Sequence, residues 1–337
     1  MAGGVVRAFK FILAVAALGS AFAQTPRPSA WPFPSSPYYN PTPATSSAWP
    51  FSTPAATPIA QPPRDLNAAP PPRDVPLQEK NWSALANQQV GMIGSKALAI
   101  KPEQWKHGET PNFIIHYRRM HEALEVAREI EFDLWNVAQT LGAAPAQYER
   151  KSHVFVFKDE FEWKGFLVQT SNPAWSHSFA HRDELFLDVH QQTGAFDSRN
   201  LAHETTHAVV ARLYGRREWP LWLNEGFAEY MGEASVAARH SQNIHRQQQE
   251  LTLAEMPLAE LLATPRYPAD REQVHRLYAT SSKLVRYLLN RYPRELFRTL
   301  AERVSSGEPA ASALPAVYGA EFADMKAFET KFDRFTR

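Results

Sequence analysis

The amino-acid sequence predicts an α+β fold in which a small mixed sheet is followed by a mainly helical C-terminal half. The first observation is a set of three short apolar runs with strand character, at 112–117, 152–157 and 184–189. The second is that the remaining long segments have helical spacing. A first half rich in strands and a second half rich in helices are typical of the α+β class.

The N-terminal segment 1–23 has the features of a signal peptide. Arg7 and Lys10 give it a positive start, and its short apolar run ends in a small-x-small cleavage site at 21–23. The run is shorter than the roughly 20 residues that span a bilayer, so we expect no stable membrane span after cleavage. The sequence therefore predicts an exported protein, periplasmic or secreted, with an uncleaved anchor as the alternative.

Residues 24–76 are crowded with proline among serine, threonine and alanine, a composition that buries too little apolar area to fold. We predict a disordered, extended linker there. The stretch SAWPF occurs at 29–33 and again at 47–51, so a docking element for a partner is the alternative to a plain spacer. Residues 77–111 are transitional and carry no firm prediction. Compact structure is expected to begin at 112, in a domain that continues to 337.

Spacing and end signals predict the elements of this domain in order. A long helix over 119–142 follows the first strand and stops at Gly142. A short helix over 159–169 follows the second strand. Ser198 is expected to cap the helix that comes after the third strand, and Gly215 to end it. The residues expected on the buried sides are Leu124, Ala127, Ile130, Leu134 and Val137 in the long helix, and Ala202, Val209 and Leu213 in the capped one.

Composition excludes several classes of function. The formal net charge is +1, which gives no electrostatic case for a nucleic-acid partner. The chain has no cysteine, so disulfides, thiolate metal sites and cysteine nucleophiles are excluded. Any metal must therefore be held by histidine, aspartate or glutamate.

The stretch LAHETTHAVV at 201–210 places two histidines four residues apart, with a glutamate directly after the first. On a helix, His203 and His207 project from one face, one turn apart. Two imidazoles with this spacing can bind one tetrahedral metal ion. Glu204 lies about 100° around the helix from His203. It can therefore reach the attacking water instead of the metal, as a general base does.

The stretch WPLWLNEGFAEY at 219–230 predicts a second helix, because Pro220 fits a first helical turn. Glu225 can fold back as a third ligand and leave the fourth position for water, as in catalytic zinc sites with two histidines and one glutamate. Glu229 lies on the same helical face, where it can accept a hydrogen bond from the outer nitrogen of a ligand histidine. A surface acid is the alternative for Glu229.

HETTH followed by PLWLNEGFAEY resembles the gluzincin clan of zinc peptidases. It is most similar to the peptidase-MA-like domains of exported bacterial proteins, and more distantly to the zinc aminopeptidases, which share the NEGFA segment. The resemblance covers about 112–332 and implies a zincin-like catalytic domain with Zn²⁺ as its cofactor. It implies that His203, His207 and Glu225 are the zinc ligands and that Glu204 is the catalytic base. The loop between the two parts of the motif is one residue shorter than in the aminopeptidases.

The resemblance also bears on two features outside the metal motif. Tyr278 lies where related enzymes place a tyrosine that donates to the developing oxyanion, and a phenol directed at that charge would stabilise it. His275 is a competing donor, and a packed aromatic residue is the alternative for Tyr278. The clan places an edge strand just before the metal helix, where an extended substrate can pair with it. The run 184–189 holds that position, and an ordinary core strand is the alternative.

The sequence therefore predicts an exported zinc peptidase that acts on peptides or proteins. The alternative is a non-catalytic, zinc-stabilised protein that binds a peptide or a surface. Other candidates carry less weight: His177, His181 and His190 are expected to be polar loop residues, Trp219 and Trp222 core or cleft wall, and the run 239–249 a solvated helix.

Overall fold

The computed structural model describes residues 70–71, 73–143, 150–189, 197–215, 219–240, 255–322 and 324–335. The predicted signal peptide lies outside the described residues, as do His190, the linker up to residue 69 and most of the polar run 239–249. Within the described part of the chain, no helix is both long and apolar enough to cross a membrane.

The described strands form one mixed sheet. They are β1 (Gln78–Lys80), β2 (Lys106–Glu109), β3 (Phe113–Tyr117), β4 (Ser152–Phe157), β5 (Ser178–His181) and β6 (Glu184–Asp188). Their order is β1-β2-β3-β4-β6-β5, with β3, β4 and β6 parallel and the other pairings antiparallel. The strand β5 therefore forms one edge of the sheet.

The described ranges also contain ten α-helices. They are α1 (Met92–Leu98), α2 (Met120–Leu141), α3 (Glu160–Gln169), α4 (Ser198–Tyr214), α5 (Leu221–His240), α6 (Leu258–Ala263), α7 (Arg271–Arg291), α8 (Arg294–Ser305), α9 (Ala310–Tyr318) and α10 (Met325–Asp333). The six from α5 onward make the C-terminal half helical. The predicted α+β class, with a mixed sheet and a helical C-terminal half, is confirmed.

Successive strand residues point to opposite faces of the sheet, and each face has its own core. On one face, Ile115, Val154 and Leu187 pack in the larger core with side chains of α2, α4, α5 and α7. On the other face, Phe155 and Phe186 pack in a smaller, aromatic core with side chains of α1 and α3. The helix α4 contacts α2, β5 and α5, and α5 in turn contacts α7. This layering places α4 beside the sheet edge.

Two details of the predicted helices are wrong. Leu124 is 38% exposed, because the buried face of α2 is centred on neighbours such as Ala123 and Val126, which are fully buried. Asp197, and not Ser198, caps α4, since its carboxylate accepts the backbone N–H of Asn200 at 3.1 Å. Both residues are good capping types, and the backbone selects the one that directly precedes the helix. Leu213, expected on the buried side of α4, does pack against the larger core and is partly buried there.

The sheet begins earlier in the chain than the expected start at residue 112. The strands β1 and β2 pair ahead of β3, in the segment that carried no firm prediction. They are short and polar, so they lack the apolar alternation that marks a strand in a sequence. The buried carboxylate of Glu109 stabilises them, because it accepts from Lys80 at 2.9 Å and from Lys151 at 2.7 Å.

The run 184–189 is the ordinary core strand given above as the alternative, and its predicted edge position is wrong. The strand β6 pairs with β4 on one side and with β5 on the other, so it lies inside the sheet. The chain adds one further strand at the edge by turning back antiparallel, and that strand is β5. Four residues with mixed polarity give β5 little signal in the sequence.

Three histidines form a chain on the smaller-core face of the sheet, with His116 and His153 buried and His107 partly buried. His107 Nδ1 lies 2.8 Å from His116 Nδ1, and His116 Nε2 lies 2.9 Å from His153 Nδ1. Burial lowers the pKa of all three, to about 4 for His153. Neutral imidazoles can alternate as donor and acceptor along such a chain. The chain therefore favours a neutral, hydrogen-bonded state.

Candidate metal site

The helix α4 presents His203 and His207 on one face, as their spacing predicts. Their Nε2 atoms lie 3.1 Å apart, and both side chains are mostly buried. Around them, Ala202, Ala208 and Val209 are fully buried and pack α4 into the domain. The packing thus fixes the helix rotation that directs the two imidazoles to one point.

The helix α5 brings Glu225 to the same point. Its Oε2 atom lies 3.6 Å from His203 Nε2 and 3.6 Å from His207 Nε2. A close approach to α7 holds α5 in place, because a Cβ at Gly226 would lie 2.5 Å from the carbonyl oxygen of Ser281. Only glycine allows this approach.

The three atoms fit the ligand sphere of a tetrahedral ion. Bonds of about 2.0–2.1 Å at tetrahedral angles keep ligand atoms about 3.3–3.4 Å apart, and the observed separations are 3.1, 3.6 and 3.6 Å. At 3.6 Å the buried Glu225 Oε2 makes no hydrogen bond to either imidazole. A carboxylate oxygen that faces two imidazole nitrogens in this way suits a cation between them. Within the described residues, this is the only group of metal-ligand side chains that converges on one point.

Charge in the site is strongly coupled. Burial opposes a charge on His203, but Glu225 and Glu229 raise its pKa to about 10. Burial likewise opposes ionisation of Glu225, yet the two histidines hold the pKa of that carboxyl well below its usual range. Both shifts favour a positive charge on His203 beside the carboxylates, in the place where a cation would add the same sign of charge.

Glu229 contacts the outer nitrogen of His203. Its Oε1 atom lies 3.2 Å from His203 Nδ1, so the carboxylate can fix the imidazole with Nε2 free to bind a metal. Arg199 pairs with Glu229 on its other side and lies 3.7 Å from Glu233. Glu233 also pairs with Arg286 of α7. These four side chains carry alternating charges, and together they hold the Glu229 carboxylate in place against His203 Nδ1.

Glu204 projects from α4 beside the ligand group and does not belong to it. The side chain is 8% exposed, and Oε1 accepts a hydrogen bond from the Ser178 hydroxyl at 3.1 Å. Asn200, one turn earlier on α4, donates to the same hydroxyl. Ser178 and Asn200 were not predicted from the sequence, since no local pattern joins a serine on β5 to a glutamate 26 residues later.

Two tyrosines lie near the ligand group. The Tyr278 ring is 6.4 Å from the His203 ring, and the Tyr267 ring is 6.2 Å from that of Tyr278. Burial and the charge of Glu225 raise the pKa of both phenols. The two aromatic rings are stacked on each other, with an interplanar angle of 28°. Tyr267 was not predicted either, because it lies in the loop before α7.

The remaining candidates fall outside the ligand group. His275 lies on α7, partly buried, and is not one of the side chains that converge on the metal position. The exposed His177 lies 3.5 Å from Asp188, and His181 ends β5. Trp219 and Trp222 are buried in the larger core, so they are core residues and not cleft wall.

The fold and this site define a zincin-like domain with a ligand group of two histidines and one glutamate. The family model of the peptidase MA superfamily matches residues 134–336, which is more than half of the chain. The chain therefore belongs to the peptidase MA superfamily and carries a peptidase-type hydrolase domain. A comparison with curated proteins finds no match.

Proposed function

We propose that this protein is an exported, zinc-dependent peptidase that hydrolyses peptide bonds with Glu204 as the general base. The observation that carries the proposal is the convergence of three ligand atoms beside a separately held carboxylate. The ligands alone would serve a structural ion as well. A buried glutamate that lies next to the ligands without joining them is what hydrolysis requires and a structural site does not.

His203, His207 and Glu225 would hold the ion and leave its fourth coordination position for water. Zinc, when bound there, would lower the pKa of water toward about 7 and polarise the scissile carbonyl. Glu204 takes the proton from the attacking water and passes it to the leaving amine. Tyr278 donates its phenol hydrogen to the developing oxyanion. Tyr278 is favoured over His275 because its ring lies next to His203.

The substrate would be an extended peptide that pairs with the edge strand β5. Among the described strands, β5 pairs only with β6, so its outer side can accept a further strand. Hydrogen bonds from the backbone would hold the peptide whatever its side chains are. The strand also borders α4, which brings a bound peptide close to the histidines.

Substitution of Glu204 by glutamine tests the catalytic role. The amide side chain would keep the shape of the carboxylate but could not accept the proton, so cleavage of a peptide library should fall to background. Bound zinc, measured by elemental analysis, should stay near one ion per chain in both proteins. Glu162→Gln is a matched control, since Glu162 is also 8% exposed and lies on α3 in an ion pair with Lys101. Equal cleavage by the Glu204→Gln protein would refute the proposal.

The second candidate is a zinc-stabilised protein that binds peptides without cutting them. The edge strand and the ligand group would serve such a protein as well. Stoichiometric zinc together with a broad peptide library that stays uncut would favour it. The carboxylate of Glu204 argues against it, because binding alone gives no chemical use for a base in that position.

Export rests on the N-terminal segment. We infer that residues 1–23 are removed and that the following segment to residue 76 is an extended spacer. N-terminal sequencing of the protein recovered outside the cytoplasm should begin at Gln24. Recovery of the intact segment with the membrane fraction would favour the uncleaved anchor.

A further inference from the structure

Two residues of β5 direct their backbone N–H and C=O groups toward the edge of the sheet. Asp188 N donates to His177 O at 2.9 Å, and Ser178 is directly opposite Leu187. Hydrogen-bonded and non-hydrogen-bonded pairs alternate along an antiparallel ladder. Ser178 and Ala180 are therefore the residues of β5 whose N–H and C=O groups point away from β6. An added peptide strand would pair with these two.

A hydroxyl group already contacts this edge. Ser176 Oγ donates to the carbonyl oxygen of Ser178 at 2.7 Å. The donor stands on the side from which the N–H of an added strand would approach. The Ser178 carbonyl thus already accepts one donor on this side, and its second lone pair remains for the N–H of an added strand.

The side chain of Ser178 points into the domain while its backbone faces the edge. Its hydroxyl donates to Glu204 Oε1 at 3.1 Å and accepts from the Asn200 amide nitrogen. The direction of both bonds is fixed, because an amide NH₂ only donates and a carboxylate only accepts. Ser178 is 9% exposed, so water competes little for these bonds.

We propose that Ser178 is a positioning residue that holds the Glu204 carboxylate in register with a peptide docked on β5. This inference rests on the proposed peptidase function. Ser178 would orient both the peptide and the base, because its backbone pairs with the peptide and its hydroxyl holds Oε1 of Glu204. The other oxygen, Oε2, is then directed to take the proton from water. A carboxylate displaced by about 1 Å can lose roughly 100-fold in rate.

Substitution of Ser178 by alanine is the direct test. The change removes the hydrogen bond to Glu204 but leaves the backbone of β5 intact. We expect kcat of the zinc-loaded protein on a peptide substrate to fall about 10- to 100-fold, as for a lost hydrogen bond to a charged group, with KM changed less than about twofold. Ser178→Thr keeps a hydroxyl and suits a strand, so it should recover most of the lost kcat. Asn200→Ala removes the donor to Ser178 and should lower the same parameter by a smaller factor.

Two further measurements separate positioning from general damage. Zinc affinity, measured by chelator competition, and peptide affinity of the metal-free protein should both stay within about twofold in the Ser178→Ala variant. Ser305→Ala is the matched control, because Ser305 is also 9% exposed and its hydroxyl bonds only to a helix carbonyl in α8. We expect wild-type kinetics from that control.

The outcomes distinguish this inference from the proposed function. Wild-type protein that binds zinc and cleaves peptides, together with an unchanged kcat for Ser178→Ala, would overturn the positioning role and leave the peptidase function standing. A loss of kcat that Ser178→Thr does not recover would also overturn it. A wild-type protein that neither binds zinc nor cleaves would instead overturn the proposed function.

Discussion

Removal of the Glu229 carboxylate should accelerate the release of zinc. Its Oε1 atom is 3.2 Å from His203 Nδ1, and the side chain is mostly buried. A hydrogen bond to a charged group contributes about 1.5–3 kcal/mol, and about 1.4 kcal/mol is a factor of ten. Loss of such a partner outside the ligand sphere typically costs about 10- to 100-fold in metal affinity. We therefore expect Glu229→Ala to release zinc about 10- to 100-fold faster, and Glu229→Gln to have a smaller effect.

The assay is the rate of zinc transfer to an excess of a chromophoric chelator. The rate is more informative than an equilibrium constant, because Glu229 also stabilises the proton that competes with zinc on His203. Arg199 keeps Glu233 as a partner at 3.7 Å, so the substitution does not leave an isolated buried cation. Glu302→Ala, on the exposed face of α8, serves as the control. An unchanged rate in Glu229→Ala would show that this carboxylate does not support the ligand.

The same geometry makes three further predictions. The pKa of His203 is about 10 without a bound metal, so zinc must displace a proton from this imidazole. Zinc affinity should therefore rise about tenfold per pH unit between about pH 7 and 9. A pH-independent affinity would contradict this. The pKa of His153 is about 4 in the folded state against 6.5 when unfolded. The unfolded chain therefore takes up the proton first as the pH falls. The free energy of unfolding should be unaffected by this group above pH 6.5 and should fall by about 3 kcal/mol as the pH drops from there through 4. Urea unfolding at several pH values should show this fall, and a smaller one in His153→Gln. Ala180→Pro removes an N–H that faces the open edge, which a sheet tolerates, so KM should rise about tenfold with little change in kcat or melting temperature; an unchanged KM would place the substrate elsewhere.

The sequence could predict the metal ligands because their geometry is local. Histidines four residues apart share a face of any helix, so the positions of His203 and His207 needed no knowledge of the tertiary fold. Glu225 required only that a second helix return after a short loop. The errors arise where two local choices are nearly equal in energy. Asp197 and Ser198 are both good capping residues, and Leu124 lies at the margin of an apolar face whose centre depends on what packs against it.

The groups that sequence reasoning missed share a different physical origin. Ser178 reaches the site from the edge strand β5, which precedes α4 and α5 in the chain. Tyr267 reaches it from a loop that follows them. Contacts of this kind depend on how the layers pack, and side-chain type alone does not indicate them. Yet they decide which oxygen of Glu204 faces water and which phenol faces Glu225. The motif therefore fixes where a metal can bind, whereas the position of the strand β5 against α4 determines whether a bound peptide meets a base that is ready to act.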